Sequence, residues 1–231
     1  MTLTDIPSHQ IRAQYDAHTI RVYQAYSDEI AEPALRAGKF VTPPFKLERM
    51  TWIKPSFLWM MYRAGWGYKD SGQQRILAID ITHEGFAWAL EHSCLSHAEG
   101  TMSKEEWLNL KQSKPVRVQW DPERDLQLQA LPYRAIQIGL SGEAVNLYVN
   151  TWTKSISDVT PLAHQIYALL QAGDTAAAAA LLPQEREYIP LYGENLQAVQ
   201  SDSAGMSPAC CPLPHFEDQT QPLTLTALNL S

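Results

Sequence analysis

The chain has little cysteine, no long apolar run and no excess of positive charge, and each shortage closes off a class of protein. Three cysteines in 231 residues, Cys94 and the vicinal Cys210 and Cys211, are an odd and unevenly spaced set. That is no disulfide framework, and it fits a reducing compartment. No apolar stretch approaches the ~20 residues a membrane helix needs, and the polar start around Asp5 lacks the apolar core of a signal peptide. The expectation is a cytoplasmic chain with no membrane partner. A formal net charge of -7 argues against general affinity for nucleic acid or anionic lipid. Catalytic signatures of fixed spacing are missing as well: there is no GxGxxG, P-loop, HExxH or GxSxG, and His83, His92 and His97 do not stand at metal-ligand spacing. Cys210 and Cys211 with His215 do not supply ligands that converge tetrahedrally, so no metal is expected.

What is present is an ordinary globular composition, 45% apolar and 19% charged, enough for one sizeable core. Periodicity is lost from Gly193 onward, where Ser, Pro, Gln and Thr accumulate. The expected organisation is one domain over residues 1–192 and a linker with a disordered tail over 193–231. Alternating β-rich runs predict strands at Thr19–Tyr26, Arg49–Lys54, Arg75–Ile81, Val116–Trp120, Leu126–Gln129 and Ala135–Leu140, with Asp121-Pro122-Glu123-Arg124 as a turn. Cap and stop residues predict helices after Ser27 up to Gly38, from Pro55 to Gly65, after Thr82, after Ser103 with Glu106 as a capping box, from Ser141 to Lys154, from Thr160 to Gly173, and after Asp174. The fold class expected is α+β, a mixed central sheet flanked by helices.

The most informative segment is Arg49–Lys69. It interleaves Arg49, Lys54, Arg63 and Lys69 with Trp52, Phe57, Trp59, Tyr62, Trp66 and Tyr68, a mixture suited to phosphates attached to stackable rings. It lies in a locally basic region: between Arg36 and Arg75 eight cations face only Glu48 and Asp70. Core packing accounts for most of Trp52, Phe57, Leu58, Met60 and Met61. Lys54, Arg63 and one or two tryptophans remain as ligand candidates. A second candidate is the strand-to-helix junction Gly139-Leu140-Ser141-Gly142-Glu143, where backbone N–H groups and Glu143 would meet a phosphate or a sugar hydroxyl. A third is the carboxylate-rich Asp121-Pro122-Glu123-Arg124-Asp125.

The strings IRAQYDAHTIRVYQAY, ERMTWIKPSFLWMMYRAGW, RILAIDIT, KPVRVQWDPERDL and RAIQIGLSGEAV closely resemble the domain-of-unknown-function family 4291, over about Gln10 to Tyr192. The order of elements also resembles ADP-ribosyltransferase folds. That resemblance implies an early polar strand residue and a middle aromatic or hydroxyl residue shaping an NAD cleft, with a late glutamate assisting transfer. Arg21, Gln24 or Tyr26 are candidates for the first role, Trp52 or Ser56 for the second, and Glu143 or Glu123 for the third. Tyr23, Lys54, Trp59 and Arg63 complete the expected ligand-binding set. The functional expectation is a nucleotide-binding protein, in its most concrete form an NAD-dependent ADP-ribosyltransferase-like enzyme. The alternatives are a noncatalytic nucleic-acid or nucleotide-binding module and a protein-interaction domain.

Overall fold

A computed structural model describes residues 6–98 and 103–190. In chain order the first half forms β1 (Arg12–Ala13), β2 (Thr19–Tyr26), α1 (Asp28–Ala37), β3 (Thr51–Ile53), α2 (Phe57–Ala64), β4 (Arg75–Thr82), α3 (His83–Glu91) and β5 (Ser93–Leu95). The second half forms α4 (Lys104–Ser113), β6 (Val116–Arg124), β7 (Ala130–Leu140), α5 (Glu143–Leu147), β8 (Thr153–Asp158), α6 (Thr160–Gln171), α7 (Thr175–Ala180) and β9 (Arg186–Glu187). Helix starts follow the expected chemistry. Thr82, Ser103 and Asp174 each accept a backbone N–H of the first turn with a side-chain oxygen, and Ser56, expected inside the helix, does the same at the start of α2. The reciprocal Ser103–Glu106 capping box is formed. Gly38 and Gly65 end α1 and α2 with φ of 66° and 55°, a left-handed conformation that costs glycine little.

β2, β4 and β8 form an antiparallel sheet in the order β2-β4-β8, and β3, β7, β6 and β5 form a mixed sheet in the order β3-β7-β6-β5, in which β5 runs parallel to β6. β1 and β9 make a small antiparallel ribbon. The two larger sheets turn apolar faces to a common core. Ile20, Val22, Leu77, Ile79 and Ile81 come from one, and Ile53, Val116, Val118, Ile136, Ile138 and Leu140 from the other. A second core lies on the opposite face of β2 and β4, where α2, α6 and α7 bring Phe57, Met60, Met61, Ala163, Ile166 and Ala178 against Tyr23, Ile76 and Ala78. Full burial of a side chain such as Phe57 or Met61 stabilises by ~1.5–3 kcal/mol. The result is one α+β domain, as expected.

Local assignments differ in four places. Asp121-Pro122-Glu123-Arg124 continues β6, because Pro122 sits where the register shifts between Pro122 and Arg124 and no ladder N–H is required of it. The turn is Asp125 to Gln129 instead, closed by Asp125 Oδ1 accepting the Gln129 N–H at 2.8 Å, and β7 begins at Ala130. Ser141 does not cap a long helix. Its hydroxyl donates to Pro115 O at 2.6 Å, Gly142 occupies the cap position, α5 is short, and residues 148–152 form a π-helical turn before β8. β8 is an edge strand with Ile156 as its buried apolar residue, too weak an alternation to stand out against a helical reading. Pro55 precedes the cap of α2 rather than opening the helix. The tail expected over 193–231, with Cys210, Cys211 and His215, lies outside the described residues.

Candidate ligand-binding cleft

β2 and β3 meet at one backbone bridge. Tyr23 N donates to Lys54 O at 2.7 Å and Lys54 N donates to Tyr23 O at 3.3 Å. Toward Tyr26 side chains replace the ladder. Gln24 Nε2 donates to Thr51 Oγ1 at 2.6 Å and to Trp52 O at 3.1 Å, while Gln24 Oε1 accepts the Tyr148 hydroxyl at 2.7 Å. The Tyr26 hydroxyl lies 3.0 Å from Thr51 Oγ1. Gln24 is buried, and a buried amide stripped of such partners costs ~1–3 kcal/mol, so the network pins the two strands at the place where they part.

The face of the mixed sheet turned away from the common core is polar. Register sets Trp52 opposite Gly139 and Gln119 opposite Gln137, so these side chains share one face with Asp121. Asp121 accepts Nε2 of Gln119 at 3.0 Å and Nε2 of Gln137 at 2.5 Å. Trp52 folds its indole over Gly139: a Cβ there would stand 2.9 Å from two of its ring carbons. Only glycine leaves room for the ring in that position.

Lys54 follows β3 and is buried, with 6% of its surface exposed. Its Nζ has one hydrogen-bond acceptor, Trp52 O, at 3.4 Å, and among the described residues it makes no ion pair. Burial, and after it the positive charge of Arg63, bring its ammonium pKa down to about 7, against the opposing pull of Asp121. Lys54, Gln24, Thr51, Trp52, Gln119 and Gln137 line a cleft of about 630 Å³ together with the exposed cations Lys46, Arg49 and Arg63. Asp70 is the one carboxylate among the lining residues. The cleft is of the size that holds small ligands, and its walls combine an indole, amides and an excess of positive charge.

Most of the chain, residues 10–188, matches the model of the domain of unknown function family DUF4291. The chain belongs to this family. No curated protein matches it.

Of the residues expected at a site in this DUF4291 domain, Gln24, Tyr26, Trp52, Lys54 and Arg63 come together in the cleft. The others take different positions. Arg21 donates to both carboxylate oxygens of Asp80, at 2.8 and 2.9 Å, and is tied across β2 and β4. Tyr23 is a core residue stacked edge-on against Phe57. Trp59 stacks on Tyr62, over whose ring the Arg124 guanidinium sits at 3.7 Å. Glu143 is exposed at the first turn of α5 and is not among the lining residues. Lys69 is exposed beyond α2 and also does not line the cleft. Gln119 and Gln137 were not singled out from the sequence. Their alternation with apolar neighbours along each strand was the available signal, since a polar face on β6 and β7 follows from that alternation.

Ser56 and Glu123 belong to a separate cluster at the start of α2. The Ser56 hydroxyl donates to Glu123 Oε1 at 2.9 Å, and the Phe57 N–H donates to Glu185 Oε1 at 2.7 Å. Burial raises the Glu123 pKa in spite of the Arg124 N–H and the Ser56 hydroxyl. Burial and then the charge of Glu123 push Glu185 up to about 8. Two carboxyl groups on the N-terminus of one helix therefore favour a protonated state of at least one of them.

Proposed function

We propose that the cleft between β2 and β3 binds a nucleotide, with NAD as its most concrete version. The observation that carries this reading is the convergence of Lys46, Arg49 and Arg63 with the half-buried Trp52 indole around one cleft of about 630 Å³. Guanidinium and ammonium groups meet phosphate oxygens through charge-assisted hydrogen bonds, and an indole offers a face for a base or nicotinamide. Gln24, Gln119 and Gln137 supply amide groups able to meet ribose hydroxyls.

ADP-ribosyl transfer is the enzymatic form of this reading. It calls for a carboxylate beside the ribose, and the side chains on that wall are the amides of Gln119 and Gln137, both bonded to Asp121. Titration calorimetry and thermal shift with NAD, ADP-ribose, ATP and a short single-stranded oligonucleotide test the nucleotide reading. Stabilisation by the nucleotides supports the reading through mass action on the folded state, and binding of the oligonucleotide alone would replace it with a nucleic-acid module.

A further inference from the structure

A buried lysine without a carboxylate partner is an uneconomical way to bind an anion, because an exposed lysine does so without desolvation. Lys54 lies in the cleft wall, it is buried, and Asp121, the acid that acts on it most favourably, is held by Gln119 and Gln137. Arg63 adds repulsion from α2. This surrounding keeps the amine lone pair available near neutral pH, the condition for a lysine nucleophile. The rest of the wall describes the electrophile. Exposed cations suit phosphate, and the amides suit hydroxyls along a sugar chain.

We propose that Lys54 is a nucleophile that condenses with the aldehyde of a phosphorylated reducing sugar held in the cleft. The inference rests on the anion-binding reading of the cleft and extends it to a covalent step. The Lys54 nitrogen adds to the aldehyde carbon of the open-chain sugar, forming a C–N bond. The nitrogen gives up both of its protons and the carbonyl oxygen takes up two, exchanged through solvent, the C–O bond breaks as that oxygen departs as water, and a C=N imine joins sugar and protein. No oxidant or second substrate is needed, and hydrolysis reverses the step. Free ADP-ribose carries such an aldehyde in its open form, and so does ribose 5-phosphate. In NAD the corresponding carbon is blocked by the nicotinamide.

The test uses the full chain with ADP-ribose, ribose 5-phosphate or NAD in the presence of cyanoborohydride, which reduces an imine to a stable secondary amine, followed by peptide mass spectrometry. The expected result is an adduct concentrated on the peptide that holds Lys54 with ADP-ribose, none with NAD, and loss of the adduct in Lys54→Arg and in Lys54→Met. An adduct from ribose 5-phosphate as well assigns recognition to the phosphosugar alone; its absence assigns it to the nucleotide-linked sugar. Either pattern supports the proposal. Thermal stabilisation by ADP-ribose without an adduct at Lys54 overturns the nucleophile and leaves the binding reading standing. Diffuse labelling of exposed lysines that persists in both variants also overturns it. Neither stabilisation nor adduct with any of the three probes removes the cleft reading and the nucleophile together.

Discussion

The indole of Trp52 and the backbone of Gly139 are in such close contact that a methyl group on Gly139 would stand 2.9 Å from the ring. β3 and β7 are paired at these two residues, so the ring can escape only by swinging off the sheet face and into the cleft it now walls. The orientation of the aromatic wall is thus set by a missing side chain on the neighbouring strand.

Gly139→Ala is expected to destabilise the fold by ~1–3 kcal/mol, the usual cost of overpacking, and to displace Trp52. Chemical denaturation measures the first effect. Comparison with Trp52→Phe isolates the second: if Gly139→Ala leaves nucleotide affinity intact while Trp52→Phe lowers it, the contact has no part in shaping the cleft.

Lys54→Met is expected to stabilise the protein at neutral pH by an amount on the order of a few kcal/mol, since folding lowers the lysine pKa from 10.5 to about 7. The sign follows from the neutral form being the one that folding prefers. The wild-type lysine is least costly above pH 10.5, and its cost grows as pH falls from 10.5 to about 7, then stays level. The gap in melting temperature between Lys54→Met and wild type should therefore widen from pH 10 to pH 7. A gap independent of pH would mean that Lys54 titrates as an exposed lysine does.

Glu185 gives a dependence of the opposite direction. Its folded pKa, about 8, lies above the ordinary glutamate value of 4.5, so its stabilising contribution is complete below pH 4.5 and is lost as pH rises toward 8. Glu185→Gln keeps an oxygen for the Phe57 N–H and cannot ionise. The variant should gain on wild type in urea denaturation as pH is raised from 5 to 8, and equal stability across that range would exclude a buried, protonated Glu185.

Arg49→Ala and Arg63→Ala should each weaken nucleotide binding by about tenfold, the loss of a charge-assisted hydrogen bond to phosphate, with little change in melting temperature because both side chains are exposed. Glu143→Gln should leave binding unchanged, since Glu143 stands outside the cleft lining. Calorimetry in parallel with thermal melts separates the two quantities, and a strong effect of Glu143→Gln on affinity would require a cleft extending to α5.

By itself the sequence determined the elements whose signals are local. Thr82, Ser103 and Asp174 start helices because a short side chain bonds backbone donors a few residues away. Arg75–Thr82 is a strand because apolar residues on both of its faces have cores to enter. It also marked Trp52, Lys54 and Arg63 by their composition. Only the tertiary structure decided that Arg21 spends its charge on Asp80, that Trp59 stacks on Tyr62, and that Gln24, Gln119 and Gln137 share a cleft with Lys54. The bridge between Tyr23 of β2 and Lys54 just after β3, and the pairing of β7 with both β3 and β6, are long-range choices. The chemistry of Lys54 depends on them, because burial and the fields of Arg63 and Asp121 arise only once those distant segments are packed around the amine.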